Sequence, residues 1–277
     1  MEERLELNEI LTFAPCPFDL PDAAERDFLF RQQEGGLTHK NISFDPCNGE
    51  LTGFVWQSAG QAARLKRNME RFANSAQAWL AELLPSYARG WRQDRVSFRP
   101  EEEATRRLRQ SARNDLLHID AFPTRPTGGQ RILRLHVNMH PTEPRVWVTS
   151  DSFAELLGRF GDELNRSGNP WSWKVRQGFM KFFQTGPRSS EYDEFMLRLH
   201  HFLKGHDDFQ DRARKKFHHF APGTAWLSFT DGFCYAELRG RFILEHSFFV
   251  DTRDLVLPEL APVALWRKSR KLSVRAA

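Results

Sequence analysis

At 277 residues and 32.3 kDa the chain is long enough to bury a full core, and its 24 Phe and 8 Trp exclude a disordered or fibrous protein. Three cysteines, Cys16, Cys47 and Cys234, in no C-x-x-C spacing exclude a zinc ribbon or disulfide framework and suit a reducing, cytoplasmic compartment. The charged start MEERLELNEI and the lack of an apolar run near the ~20 residues that span a bilayer argue against secretion or insertion, while a net charge of +4 admits any anionic partner.

From Ala59 to about Ala88 the residues Leu65, Met69, Phe72, Ala76, Trp79 and Leu83 recur at helical spacing, and Pro85 closes the run. A second helix is expected from about Glu101 to Arg113. Its acidic start (Glu101, Glu102, Glu103) and basic end (Arg106, Arg107, Arg109, Arg113) follow the helix dipole, as a solvated helix would. The segment LLHID, ending at Asp120, reads as strand, followed by a loop with two prolines and Gly128-Gly129. Strands are then expected at RILRLHVNMH (Arg131 to His140) and, past the turn PTEP, at RVWVTS. Helices are predicted around Ser152 to Asn165 and Tyr192 to Lys204. The strand-like runs TAWLSFTD, CYAEL and RFILEHSFFV follow, with turns at Asp231-Gly232 and Arg239-Gly240.

Strands split around a helical insert predict one β-barrel or double sheet of α+β class, with the helices packed outside. The expected organisation is a single decorated domain: 1–113 mainly helical, 114–255 the barrel core with its insert, and 256–277 a C-terminal extension.

The chemistry concentrates at His118-Ile119-Asp120. Side chains alternate along a strand, so His118 and Asp120 project together while Ile119 turns into apolar packing. An oxygen-activating Fe(II) centre takes two histidines and a carboxylate on one side of the metal, and this pair fits the first two. A 2-oxoglutarate cosubstrate needs a cation for its far carboxylate. Arg134, mid-strand on the face shared with Ile132, His136 and Asn138, is the candidate, with an ion pair to a glutamate of a neighbouring strand as the alternative. Asn138 either orients the cosubstrate or satisfies backbone groups. Arg131, at the strand start, is expected to be exposed, and His136 to line the core.

The histidines at 200, 201, 206, 218 and 219 read as surface residues. The run RARKK (Arg212 to Lys216) reads as a solvated face or a contact with an anionic glycolipid or the inner-membrane surface. No nucleic-acid module accompanies it.

The blocks KNISFDP (Lys40 to Pro46), SFRPEEE (Ser97 to Glu103), NDLLHIDAFPTRPTGG, NMHPTEPRVW and FTDG…AELRGRFILEHSFF together resemble the Kdo hydroxylase family of Fe(II)/2-oxoglutarate dioxygenases. The resemblance runs in order along nearly the whole chain. It implies a cupin-like double-stranded β-helix (jelly roll), Fe(II), 2-oxoglutarate and O2, and hydroxylation at C3 of the sugar acid Kdo in the lipopolysaccharide inner core. It also implies a slot for a distal histidine between Pro222-Gly223 and Gly240, which here falls on Tyr235.

A phenolate favours Fe(III), and a neutral phenol, with a pKa near about 10, donates poorly. Three arrangements stay open: Tyr235 ligates or holds a water, His246 swings in, or the site binds metal poorly and the protein works without oxidation. Arg113, Arg125 and Arg145 are candidates to meet a substrate carboxylate, with Arg145 alternatively anchoring its own strand. Beside hydroxylation of a sugar acid stand two further readings: the same cofactors acting on another small molecule, and a non-oxidative binding protein.

Overall fold

The computed structural model describes residues 1–35, 41–102, 109–166 and 189–275. Its strands are β1 (Leu11–Phe13), β2 (Ile42–Phe44), β3 (Leu51–Thr52), β4 (Arg92–Arg99), β5 (Arg131–Asn138), β6 (Arg145–Ser152), β7 (Lys216–Phe220), β8 (Ala225–Phe229), β9 (Phe233–Arg239) and β10 (Ile243–Val250). They form a seven-stranded sheet in the order β1-β8-β5-β10-β4-β2-β3 and a three-stranded sheet in the order β7-β6-β9. All pairings are antiparallel, the arrangement of a jelly roll.

Alternation along β5 separates two cores. Leu133, Leu135 and Val137 join the main apolar cluster with Leu65, Met69, Phe72, Ala76 and Leu80 of the helix Ala59–Leu83, which covers the outer face of the large sheet. Each such buried side chain contributes roughly 1.5–3 kcal/mol. Ser58 caps that helix by accepting from the Gln61 amide, and the chain breaks at Leu84-Pro85. Arg134, His136 and Asn138 point the other way. There Trp147, Phe220, Trp226, Phe233, Tyr235 and Ile243, drawn from both sheets, form a second cluster, with Phe220 stacked on Trp226 at 3.9 Å between ring centroids.

The N-terminal part is more than an outer layer of helices, because it contributes β1 to β4, and β4 lies inside the large sheet beside β10. Of these, β1 to β3 are two or three residues long and leave too little alternation to read from sequence. Of the helix expected from Glu101 to Arg113, residues 103–108 lie outside the described ones, and the described remainder holds only a 3-10 turn, Gln110–Ala112. The insert helices form at Phe153–Arg166 and Glu191–Gly205.

The second insert helix is tied to the loop after Asp120. Asp193 completes a capping box with Ser190, and its Oδ1 also accepts from the Thr127 amide (2.7 Å) and hydroxyl (3.0 Å) and from the Gly128 amide (3.1 Å). Gly128 and Gly129 have φ of +63° and +96°, a turn that only glycine takes without strain. Among the described residues, no helix is long and apolar enough to cross a membrane.

Candidate metal and anion site

The His-x-Asp segment is held by a bridge to β9, not by a full strand. The His118 amide donates to Tyr235 O (2.9 Å), the Tyr235 amide to His118 O (2.8 Å), and the Asp120 amide to Thr230 O (3.1 Å). Alternation survives without the strand: Ile119 is fully buried in the main core while His118 and Asp120 turn to the site. His118 Nδ1 lies 2.7 Å from Leu116 O. A carbonyl only accepts, so Nδ1 carries the hydrogen and Nε2 presents its lone pair. That lone pair lies 3.9 Å from Asp120 Oδ1, two buried acceptors brought together as a cation requires.

Tyr235 lies beside this pair, bridged to His118. Its hydroxyl donates to Asp120 Oδ1 at 3.2 Å, and its ring stacks on Trp147 (4.8 Å) and tilts against His118 (4.7 Å). Burial, reinforced by the Asp120 charge, pushes the phenol well above its ordinary range. Tyr235 is therefore a neutral donor whose hydrogen is spent on the carboxylate.

Beside this pair runs a buried ionic network. Arg134 Nη1 donates to Glu245 Oε1 at 2.8 Å, and Arg134 Nε lies 3.0 Å from Asp120 Oδ2 without hydrogen-bond alignment, which leaves both of these atoms without a hydrogen bond. Glu245 Oε2 accepts from Arg99 Nε (3.1 Å) and Nη2 (2.9 Å). Glu237 Oε2 accepts from Arg99 Nη1 (3.0 Å) and Arg145 Nη2 (2.5 Å). Burial alone would raise both glutamates. The guanidiniums outweigh it and hold the two carboxyls below their ordinary range, Arg134 and Arg99 for Glu245, Arg99 and Arg145 for Glu237.

His136, Glu237 and Glu245 offer three ligand atoms within 4.8 Å of one another. Their carboxylates already face guanidiniums, so this group serves the network and not a cation. His136 stacks on Trp226 at 5.1 Å as a lining residue.

Several residues singled out from the sequence lie elsewhere or are otherwise engaged. Asn138 is taken by its turn: Nδ2 donates to Glu143 O and Phe220 O, both at 2.9 Å, and Oδ1 accepts from the His140 amide at 2.9 Å, which leaves it no part in orienting a cosubstrate. Arg145 is 1% exposed and anchors Glu237 and Gly240 O, so it is no mouth residue. His246 shares β10 with Glu245 but faces the other way, its ring 4.2 Å from Phe248 of the main core, and so cannot serve as the third ligand in this fold. Arg131 is buried, not exposed, and donates from Nε to Asp231 at 2.9 Å.

Arg113 is half-exposed and paired to Asp115. Arg125 pairs with Asp94 and lies 4.2 Å over Phe122, a ring that Arg134 also approaches at 5.2 Å. One neighbour gave no sequence signal. His200, expected at the surface, is half-buried, meets His118 edge-on at 5.2 Å and holds Ile119 O through Nδ1 at 2.7 Å, which braces the segment between the two candidate ligands.

Two measurements check this electrostatic layout. Arg145→Ala leaves Glu237 with one of its two guanidiniums and should cost about 3–5 kcal/mol in urea unfolding; a loss under about 1 kcal/mol would show that the pair is not buried as described. Burial also lowers His136 and His246 to about 3 each, whereas an unfolded histidine titrates near about 6.5. Below that value the unfolded chain takes up protons that the folded one refuses. Stability should therefore hold above pH ~6.5 and fall by on the order of 1–3 kcal/mol per pH unit toward pH ~4. A flat profile over that window would contradict neutral buried imidazoles.

A jelly roll with a buried His-x-Asp pair beside a cluster of arginines defines a class, the non-heme iron dioxygenases that use a keto-acid cosubstrate. Comparison with known proteins narrows it. The family model described as 3-deoxy-D-manno-oct-2-ulosonic acid (Kdo) hydroxylase matches residues 1–271. Three solved structures of the Kdo hydroxylase KdoO, a non-heme Fe(II) alphaketoglutarate dependent dioxygenase, each share 31% identity and cover 98% of this chain. The apo form has a TM-score of 0.86 over 88% of that chain, the complex with alphaketoglutarate and Fe(III) 0.85 over 88%, and the cobalt(II) complex 0.87 over 89%. No curated protein matches. The chain belongs to the Kdo hydroxylase family.

The residues present fit a divalent cation and a keto acid. His118 Nε2 and the Asp120 carboxylate, whose Oδ2 has no hydrogen bond, suit a divalent cation, and the buried arginines suit a dicarboxylate. Tyr235 beside them is a neutral phenol whose hydrogen goes to Asp120, and it adds no imidazole lone pair.

Proposed function

We propose that this protein is an Fe(II)/2-oxoglutarate-dependent hydroxylase of a Kdo-type sugar acid. The observation that carries the reading is the buried pair itself: a histidine fixed by Leu116 O with its lone pair toward Asp120, in a chain alignable with KdoO over 98% of its length. Bound iron and 2-oxoglutarate would supply the oxidising chemistry, one oxygen atom of O2 entering the substrate and the other the succinate left when the keto acid loses CO2.

The chain's residues do the rest. His118 and Asp120 hold the metal. Tyr235 keeps the carboxylate oriented through its hydroxyl, Arg134 presents a guanidinium to the cosubstrate, and Trp147 and Trp226 exclude water from the interior. Arg125, braced on Phe122 and paired with Asp94, and Arg113, paired with Asp115, are the half-exposed cations assigned to a sugar-acid carboxylate. The same chemistry on another small acid stays within this reading. A cytoplasmic protein working at the inner-membrane surface, where a glycolipid substrate is presented, accords with the basic run 212–216.

The test is succinate formed in step with hydroxylated product when Fe(II), 2-oxoglutarate and a Kdo-bearing glycolipid are supplied. Succinate without dependence on the glycolipid would remove the substrate assignment. One observation, the neutral phenol at the third-ligand slot, favours a second reading as a binding protein that performs no oxidation. Near-stoichiometric Fe(II) after anaerobic loading would exclude it.

A further inference from the structure

The cation expected to receive the cosubstrate is already held by a carboxylate of the chain itself. Arg134 Nη1 is 2.8 Å from Glu245 Oε1, and both side chains are buried. Among the described residues the ion pairs set Arg99, Arg134 and Arg145 against Asp120, Glu237 and Glu245. A dicarboxylate entering with a divalent metal adds no net charge, so the loaded interior stays balanced, but the incoming carboxylate and Glu245 then compete for one guanidinium. Glu245 has somewhere to go, because its Oε2 keeps two hydrogen bonds from Arg99 when Oε1 releases Arg134. Arg134 lies close to the metal pair, its Nε 3.0 Å from Asp120 Oδ2, so this exchange takes place beside the candidate metal ligand.

We infer that Glu245 is a resident anion that occupies the cosubstrate's seat on Arg134 and sets how tightly a dicarboxylate binds. The inference rests on the hydroxylase reading above for the identity of that dicarboxylate. The consequence is a site that stays neutral and closed when empty and binds 2-oxoglutarate more weakly than an uncontested arginine would. Without Glu245, the buried Arg134 would keep only the ion pair to Asp120, and no hydrogen-bonded carboxylate, whenever the cosubstrate left.

Calorimetric titration with the inert analogue N-oxalylglycine, with and without Mn(II), tests this on the wild type and Glu245→Gln. The amide preserves size and removes the charge. The variant should bind on the order of 10- to 100-fold more tightly, with or without metal, and unchanged or weaker binding would overturn the inference. Glu245→Ala offers a readout that does not need the glutamine variant to fold: acetate should fill the vacated seat and raise its melting midpoint, and not that of the wild type. Equal responses would likewise overturn it. Mn(II) binding by the wild type, followed by electron paramagnetic resonance, separates the two failures. Absent metal binding would sink the hydroxylase reading while the metal-free titrations still decide the role of Glu245.

Discussion

Tyr235→His should tighten Mn(II) binding at least about 10-fold, since outer partners of a metal's ligands alone are worth about 10- to 100-fold. In the wild type the phenol is neutral, its hydrogen is given to Asp120 Oδ1, and burial keeps it from ionising. An imidazole at the same Cα brings a nitrogen lone pair to a position bridged by backbone hydrogen bonds to His118, and so completes two histidines and one carboxylate. The lost hydrogen bond to Asp120 works against this gain, because the hydroxyl no longer orients the carboxylate, so the net tightening reads the added donor. Competition titration against a metal indicator measures the change. Unchanged or weaker affinity would show that position 235 is not part of the coordination sphere, and Tyr235→Phe, which removes the hydroxyl without adding a donor, serves as the control.

His118→Ala should abolish metal binding and turnover together, with Mn(II) affinity down at least about 100-fold and succinate release lost. The reason lies in the small number of protein donors. With Tyr235 withholding its oxygen and His246 on the far face of β10, His118 provides the single imidazole lone pair shown turned toward Asp120. Its side chain is oriented by Leu116 O but supports no buried charge, so circular dichroism should show the fold retained. Retained succinate release in this variant would place the metal elsewhere.

What could be read from the sequence follows from the range of each interaction. Alternation in RILRLHVN placed Arg134 inside the barrel, and the His-x-Asp spacing put two ligands on one side, because both are properties of neighbouring residues. The 3.6-residue recurrence from Leu65 onward likewise gave the long helix. The partners of those side chains were not legible. Arg99 meets Glu237 and Glu245 across 138 and 146 residues, and Arg145 meets Glu237 across 92, so no local pattern distinguishes an anchoring arginine from one waiting for a substrate. Asn138 takes the backbone-satisfying role of the two left open, and Arg131 differs from expectation for the same reason, their partners being supplied by a turn and by Asp231. His200 reads as a surface histidine until the insert helix folds back and sets it against His118.

Glu245 and Tyr235 are the two buried side chains on which the proposed site turns. One occupies the seat expected of the cosubstrate and the other the slot expected of a ligand, and each is 3% exposed or less. Glu245 pairs the buried Arg134 and Tyr235 stays neutral, so the site holds its charges internally until a metal is loaded.

His118 and Asp120, we propose, form the metal centre of a sugar-acid hydroxylase. Mass spectrometry of a Kdo-bearing lipid A precursor, incubated with 2-oxoglutarate, O2 and protein loaded anaerobically with Fe(II), tests it most directly. The account predicts the gain of a single oxygen atom on the Kdo residue with wild-type protein and none with His118→Ala. An unmodified substrate with fully iron-loaded wild type, or an oxygen gain that survives in His118→Ala, would contradict it.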